Sequence, residues 1–151
     1  MLTEQMKTLI DTFSAASVAT VNEDGTPSVS PKATFGIIDD RTLVFGNIRS
    51  PGTIRNLTRN PAIELCFTDI LARRALRVTG TAEMVPRAQA GDDIIQAYDI
   101  RWADYRSRVK SFVVVHITAV EAIDSPAYDL GATEDELRAT NLAKLNALQA
   151  G

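Results

Sequence analysis

Hydrophobic positions along this chain switch between a three-to-four-residue period and strict alternation, and the switches mark the elements. Leu2, Met6, Leu9, Ile10 and Phe13 recur at helical spacing around Thr3, whose hydroxyl suits an N-cap. This predicts a packed amphipathic helix over residues 3 to 14. Ser17 to Val21 is small and β-branched, and Asn22-Glu23-Asp24-Gly25 then carries the Asp-Gly signal of a hairpin turn. Ser28 to Ile38 reads as the second strand, Asp39-Asp40-Arg41 as a turn, and Thr42 to Asn47 as the third strand. A short helix over Thr53 to Arg59 stops at Asn60-Pro61, because the residue before a proline avoids helical geometry.

The sheet pattern resumes in Ala62 to Phe67 and again in Ala75 to Val85, where Val78, Gly80 and Ala82 face one way and Arg77, Thr79, Thr81 and Glu83 the other. From Arg87 to about Tyr105, Ile94, Ile95, Tyr98, Trp102 and Tyr105 return to helical spacing behind Pro86, with Gly91 weakening the start. Ser111 to Ile123 is the sixth strand. Thr133-Glu134-Asp135-Glu136 fits a capping box with acids in the first turn, so a terminal helix is expected over residues 133 to 149, with Leu137, Leu145 and Leu148 as its apolar stripe. Six short antiparallel strands with added helices predict a mainly β fold, a small barrel that hides its strand edges by closing on itself. With 151 residues and a linker too short to separate units, one domain is expected, with a core over residues 3 to 125.

Composition narrows the functional classes. Forty-five per cent hydrophobic residues suffice for a folded core, and the net charge of -3 with a pI near 5.1 argues against a nucleic-acid protein, which needs a basic face. The first residues lack a leader pattern, and no apolar run approaches the ~20 residues that cross a bilayer, so neither secretion nor membrane insertion is expected. The sole cysteine, Cys66, lies in the apolar run Ala62 to Phe67 and reads as a small core residue of a cytoplasmic protein.

The most informative segment is Asn47-Ile48-Arg49-Ser50-Pro51-Gly52-Thr53. A cationic, hydroxyl-bearing, glycine-containing loop that opens a helix is an anion site. Arginine offers a planar fork to phosphate oxygens, Ser and Thr add neutral donors, and Gly52 lets the backbone approach closely. A helix-capping turn could contain the same residues. If the loop does hold phosphate, neighbouring strand edges would suit the flat ring of a mononucleotide cofactor. Two other basic clusters, Arg73-Arg74 with Arg77, and Arg101, Arg106, Arg108 and Lys110, read either as solvated charge or as partners of an anionic ligand. Motifs for metal hydrolysis, nucleoside triphosphate chemistry, serine esterase work and Cys-x-x-Cys redox chemistry are missing. His116, the single histidine, reads as a strand residue hydrogen-bonded at an interface ahead of a proton donor or haem ligand. Trp102 and Tyr105 read as helix packing ahead of a cover for a flat ligand.

Element order, Ala19 to Pro27, the Asn47 to Asn56 loop and helix, Asn60-Pro61 before an apolar strand, and Arg77-Val78-Thr79-Gly80-Thr81-Ala82 together resemble the pyridoxamine 5'-phosphate oxidase-like flavin-binding split-barrel family. The resemblance spans roughly Thr3 to Ser125 and implies a six-stranded antiparallel split β-barrel. It implies a homodimer with FMN at the subunit interface, and an oxidoreductase that meets a small molecule or NAD(P)H. Carried over by position, Ser30, Pro31, Lys32 and Ala33 would lie along the flavin ring and ribityl chain, with Asn47 and Ile48 on the adjoining strand. Arg49, Ser50 and Thr53 would hold the phosphate, assisted by Asn56. Lys32 would stand near the pyrimidine edge of the ring, or else be a solvated strand-end lysine. The family's true oxidases carry an arginine at about Ser30, basic residues near Phe35, a glutamine near Ala75 and a late Arg-rich substrate segment. This chain has none of these, so pyridoxamine phosphate oxidation is not expected. The same fold with deazaflavin or haem, or a non-catalytic flavin store or sensor, are the alternatives.

Overall fold

Thr3 does cap the first helix: its Oγ1 accepts from the Met6 amide at 3.3 Å, and α1 runs over Glu4–Thr12. The structure, a computed structural model, describes Met1–Gly151. Seven strands follow in chain order: β1 (Ala16–Val21), β2 (Pro27–Lys32), β3 (Phe35–Asp39), β4 (Thr42–Asn47), β5 (Ala62–Asp69), β6 (Arg74–Pro86) and β7 (Ser111–Asp124). All pairings are antiparallel, in one sheet of order β2-β1-β5-β6-β7-β4-β3. The expected six strands become seven because the stretch Ser28 to Ile38 divides at Ala33-Thr34. Its first part pairs with β1 and its second with β4, at opposite ends of the sheet.

The sheet is not closed, since β2 and β3 do not pair, and the expectation of a barrel without edges is corrected accordingly. It nevertheless curls around one core. Ala16, Val18, Phe35, Leu43, Phe45, Ile63, Leu65, Phe67, Leu76, Val78, Val113, Val115 and Ile117, from six of the strands, share a single buried cluster with Ile10 and Leu57. Phe35 on the edge strand β3 meets Phe67 on β5 with ring centroids 4.9 Å apart, a contact that only a strongly curved sheet allows.

Three more helices decorate this frame: α2 (Pro51–Arg59), α3 (Asp92–Trp102) and α4 (Glu134–Ala150). The predicted helix from Arg87 to about Tyr105 is broken, with 3₁₀ turns at Arg87–Gln89 and Ala103–Arg108 flanking α3 and Gly91 at its N-cap. α3 covers the outer face of β3, β4 and β7, where Val44, Phe112 and Val114 join Ile94, Ala97, Tyr98 and Val109 in a second buried cluster. Strands buried on both faces read as continuous apolar runs, which explains Leu43-Val44-Phe45 and Val113-Val114-Val115. Helix and sheet approach so closely that a Cβ on Gly36 would lie 2.6 Å from the Ala97 carbonyl oxygen.

The capping box at α4 is present, with Thr133 Oγ1 accepting from the Glu136 amide and Glu136 returning a carboxylate oxygen to the Thr133 amide. Buried Asp69 fastens this helix to the sheet. Its carboxylate accepts from the Leu71 and Ala72 amides at 3.0 and 2.9 Å and from Arg138 at 2.7 Å. The far half of α4 has no such anchor. Leu145 and Leu148 of the expected apolar stripe are exposed. No helix is long and apolar enough to cross a membrane.

Candidate functional site

β4 delivers the chain to the site. Its last residue, Asn47, pairs with Ser111 at the start of β7, and Asn47 Nδ2 donates to Ser111 Oγ at 3.2 Å. The turn Ile48-Arg49-Ser50 follows, and Pro51, which needs no amide partner, starts α2. Ser50 sits at the N-cap but makes no capping bond, although it is only 7% exposed. The amides of Gly52 and Thr53 likewise have no hydrogen-bond partner. A helix start with an unused hydroxyl and unused amides is a built set of anion donors.

A cleft of about 660 Å³ opens in front of this turn, lined by Asn47, Ile48, Arg49, Ser50, Pro51, Ile54, Arg55, Arg108 and Lys110. Four of the nine are cationic and none is acidic. The volume lies within the range of small-molecule sites.

On β2, alternation turns Ser30 and Lys32 towards α2 and leaves Pro31 exposed. Lys32 Nζ donates to Ser30 Oγ at 3.1 Å, and Ser30 Oγ shares a hydrogen bond with Thr53 Oγ1 at 3.3 Å. A polar line thus joins β2 to the first turn of α2. Burial lowers the pKa of the Lys32 ammonium below the ordinary lysine value, since no carboxylate lies beside it to compensate.

The structure therefore brings Asn47, Ile48, Arg49 and Ser50 together at the cleft, and Ser30, Lys32 and Thr53 together beside it. Pro31, on the edge strand β2, and Ala33, in the link to β3, are exposed. Asn56 turns away: its buried Nδ2 donates at 3.0 Å to both Thr20 Oγ1 and Asn22 Oδ1, which uses both of its amide hydrogens to hold α2 against β1. Arg55 is a lining residue that the sequence reading did not assign, and Arg108 and Lys110 come from the basic cluster read there either as solvated charge or as partners of an anionic ligand. Arg55 stands four residues after Pro51, a helical spacing that could have flagged it. Arg108 and Lys110 arrive through the pairing of β4 with β7, which local pattern does not reveal.

The other candidates find ordinary partners. Trp102 Nε1 donates to the Phe35 carbonyl at 2.8 Å, a packing role between α3 and β3. His116 lies exposed beside Glu83, Nε2 to Oε2 3.1 Å. It pairs with Thr42, at the end of β4 opposite Asn47, about 16 Å from the cleft at ~3.3 Å per residue.

Residues 2–125 match the profile of the family described as Pyridoxamine 5'-phosphate oxidase. The chain belongs to this family. α4 lies beyond the matched segment. Among solved members of the pyridoxamine 5'-phosphate oxidase fold, HupZ from Group A Streptococcus is 30% identical at a TM-score of 0.70, covering 83% of this chain and 96% of its own. An F420 reductase is 26% identical at a TM-score of 0.55, covering 71% and 88%. An FMN-binding protein from Syntrophomonas wolfei shares the fold at 19% identity and a TM-score of 0.60, covering 78% and 83%. No curated protein matches the chain.

Proposed function

We propose that the chain is an FMN-dependent oxidoreductase of the pyridoxamine 5'-phosphate oxidase family, with the cofactor phosphate at the start of α2 and the ring directed along β2. The observation that carries this reading is the unbonded Ser50 hydroxyl at the cleft beside two unused amides and Arg49. Water or a cation would leave those donors poorly matched, whereas a phosphomonoester accepts from all of them. When bound, the flavin would supply the ring that takes up and releases electrons. The chain's own residues bind and orient it: Arg49, Ser50 and Thr53 the phosphate, Asn47 and Ile48 one wall, Ser30 and Lys32 the other. A cytoplasmic setting agrees with the free thiol of Cys66.

An absorption spectrum followed by FMN titration tests the reading. Saturable binding near one FMN per chain is expected, and failure to bind would refute it. The relative named F420 reductase makes a parallel deazaflavin titration the informative comparison. NAD(P)H oxidation by the loaded protein separates an oxidoreductase from a flavin store.

Lys32 should make FMN affinity pH-dependent. In the free protein burial favours its neutral form, whereas an anionic ligand nearby favours the charged form and raises its pKa on binding. Affinity is therefore constant below the lowered free-state pKa and falls as pH rises through it towards the ordinary value of 10.5. Dissociation constants measured across that interval should show the decline, and Lys32→Met should flatten it.

We also propose that the cofactor sits between two copies of the chain. The β2 edge is unpaired and carries Val29 at 67% exposure, an apolar surface that a second copy would cover. Light scattering should return about twice the 16.4 kDa chain mass, and a monomer would contradict the shared site.

A further inference from the structure

We propose that Arg108 and Lys110 form a second anion subsite in the cleft, one that takes a phosphate or carboxylate group of the co-substrate. The proposal rests on the FMN reading above and names the class of molecule that meets the flavin. It begins from charge. Several cations elsewhere are paired, Arg101 with Asp11, Arg106 with Asp99, Arg77 with Glu121, and Arg138 with Asp69 and Glu134, while scattered ones such as Arg41 and Lys144 are not; only at the cleft do four unpaired cations line one cavity. None of the four cations that line the cleft takes part in any ion pair or side-chain hydrogen bond, and the lining contains no carboxylate.

A phosphomonoester carries roughly -1.5 to -2 charges near neutral pH. Arg49, Arg55 and the start of α2, equivalent to about half a positive charge, already balance it. Arg108 and Lys110 are then in surplus, and two uncompensated cations side by side call for a second anion.

Geometry supports the same division. Arg49 and Arg55 belong to the turn and first turns of α2, whereas Arg108 ends the 3₁₀ turn Ala103–Arg108 and Lys110 lies in the short link to β7. Between them Val109 is 1% exposed in the cluster under α3, while Arg108 and Lys110 are exposed and both line the cleft. The segment is held in place. Lys110 donates its amide to the Asn47 carbonyl at 3.0 Å, and Arg87 Nη1 donates to the Ser107 and Arg106 carbonyls at 2.7 and 3.3 Å. An ordered backbone therefore presents a guanidinium fork and a point charge against the wall that begins at Asn47, a pairing that suits one phosphate or carboxylate. Two sources carry such a group: the 2'-phosphate of a reduced nicotinamide nucleotide, and a small organic acid or phosphate ester.

Calorimetric titration with inorganic pyrophosphate tests the subsite. FMN-saturated wild-type protein should bind about one further equivalent. The double variant Arg108→Ala, Lys110→Ala should weaken that binding at least about tenfold while changing FMN affinity less than about threefold, and Arg49→Ala should do the reverse. Equal pyrophosphate binding by wild type and double variant would overturn the proposal, as would a double variant that loses FMN as severely as Arg49→Ala. If FMN does not bind at all, the cofactor reading fails on its own. The ligand-free proteins then decide the subsite, because two pyrophosphate sites are expected in wild type and a different one should be lost in each variant. Displacement of the bound probe by NADPH but not NADH assigns the nucleotide 2'-phosphate, and displacement by neither assigns the small acid.

Discussion

Phe35→Ala should cost about 3–5 kcal/mol of folding stability, the usual loss when a fully buried aromatic is cut to alanine. Phe35 is 1% exposed and stands on an edge strand, yet its ring lies 5.2 Å from Phe45 on the adjacent strand and 4.9 Å from Phe67 on β5, beyond β4, β7 and β6 in the sheet order. It therefore stands where the two limbs of the curled sheet meet. With the ring gone, neither limb can fill the space without moving a whole strand, so relaxation recovers little. For a chain of this size a loss of that order lowers Tm by roughly 6–20 °C. Phe35→Leu, which keeps most of the volume, should cost only ~1–1.5 kcal/mol. Denaturant unfolding checks this through the midpoint, and an alanine variant within about 1 kcal/mol of wild type would show that the limbs hold together by other means.

The same strand shows what the sequence discloses and what it withholds. Ser28 to Ile38 is extended on either side of Ala33-Thr34, where the Phe35 amide donates to the Ala33 carbonyl at 2.9 Å and closes a tight turn between β2 and β3. The turn at Ala33-Thr34 also changes the strand's partner from β1 to β4, and a local pattern carries no information about which edge a strand will join. Caps behave oppositely. Thr3, Asn60 and the Thr133–Glu136 box act on residues within four positions, so they are legible from the sequence and the structure reproduces them.

The site divides along the same line. Arg49, Ser50 and Thr53 are legible as candidates because a helix start is a local event. Arg108 and Lys110 are visible as a basic pair, but only the β4–β7 register puts them opposite Asn47. Asn56 is three residues from Thr53, and its amide points into the frame, to Thr20 and Asn22. Sequence spacing locates a residue on the helix, while the neighbours that compete for its donors come from strands more than thirty residues away.

Arg49→Ala should weaken FMN by roughly 1.5–3 kcal/mol, about 10- to 150-fold, the value of one charge-assisted contact to a phosphate. The side chain is exposed and makes no contact with any carboxylate or carbonyl, so its removal should leave stability within ~0.5 kcal/mol. That separation matters, because it lets a fall in affinity be read as a lost ligand contact rather than a damaged fold. Arg49→Lys should restore charge but not the planar fork, and so recover only part of the loss. Arg59→Ala, at the far end of α2 and 3.9 Å from Glu23, removes the same charge from the same helix and should leave affinity unchanged. Fluorescence titration of the three variants distinguishes a specific phosphate contact from a general effect of net charge: if Arg59→Ala weakens FMN as much as Arg49→Ala, the helix start does not hold the phosphate.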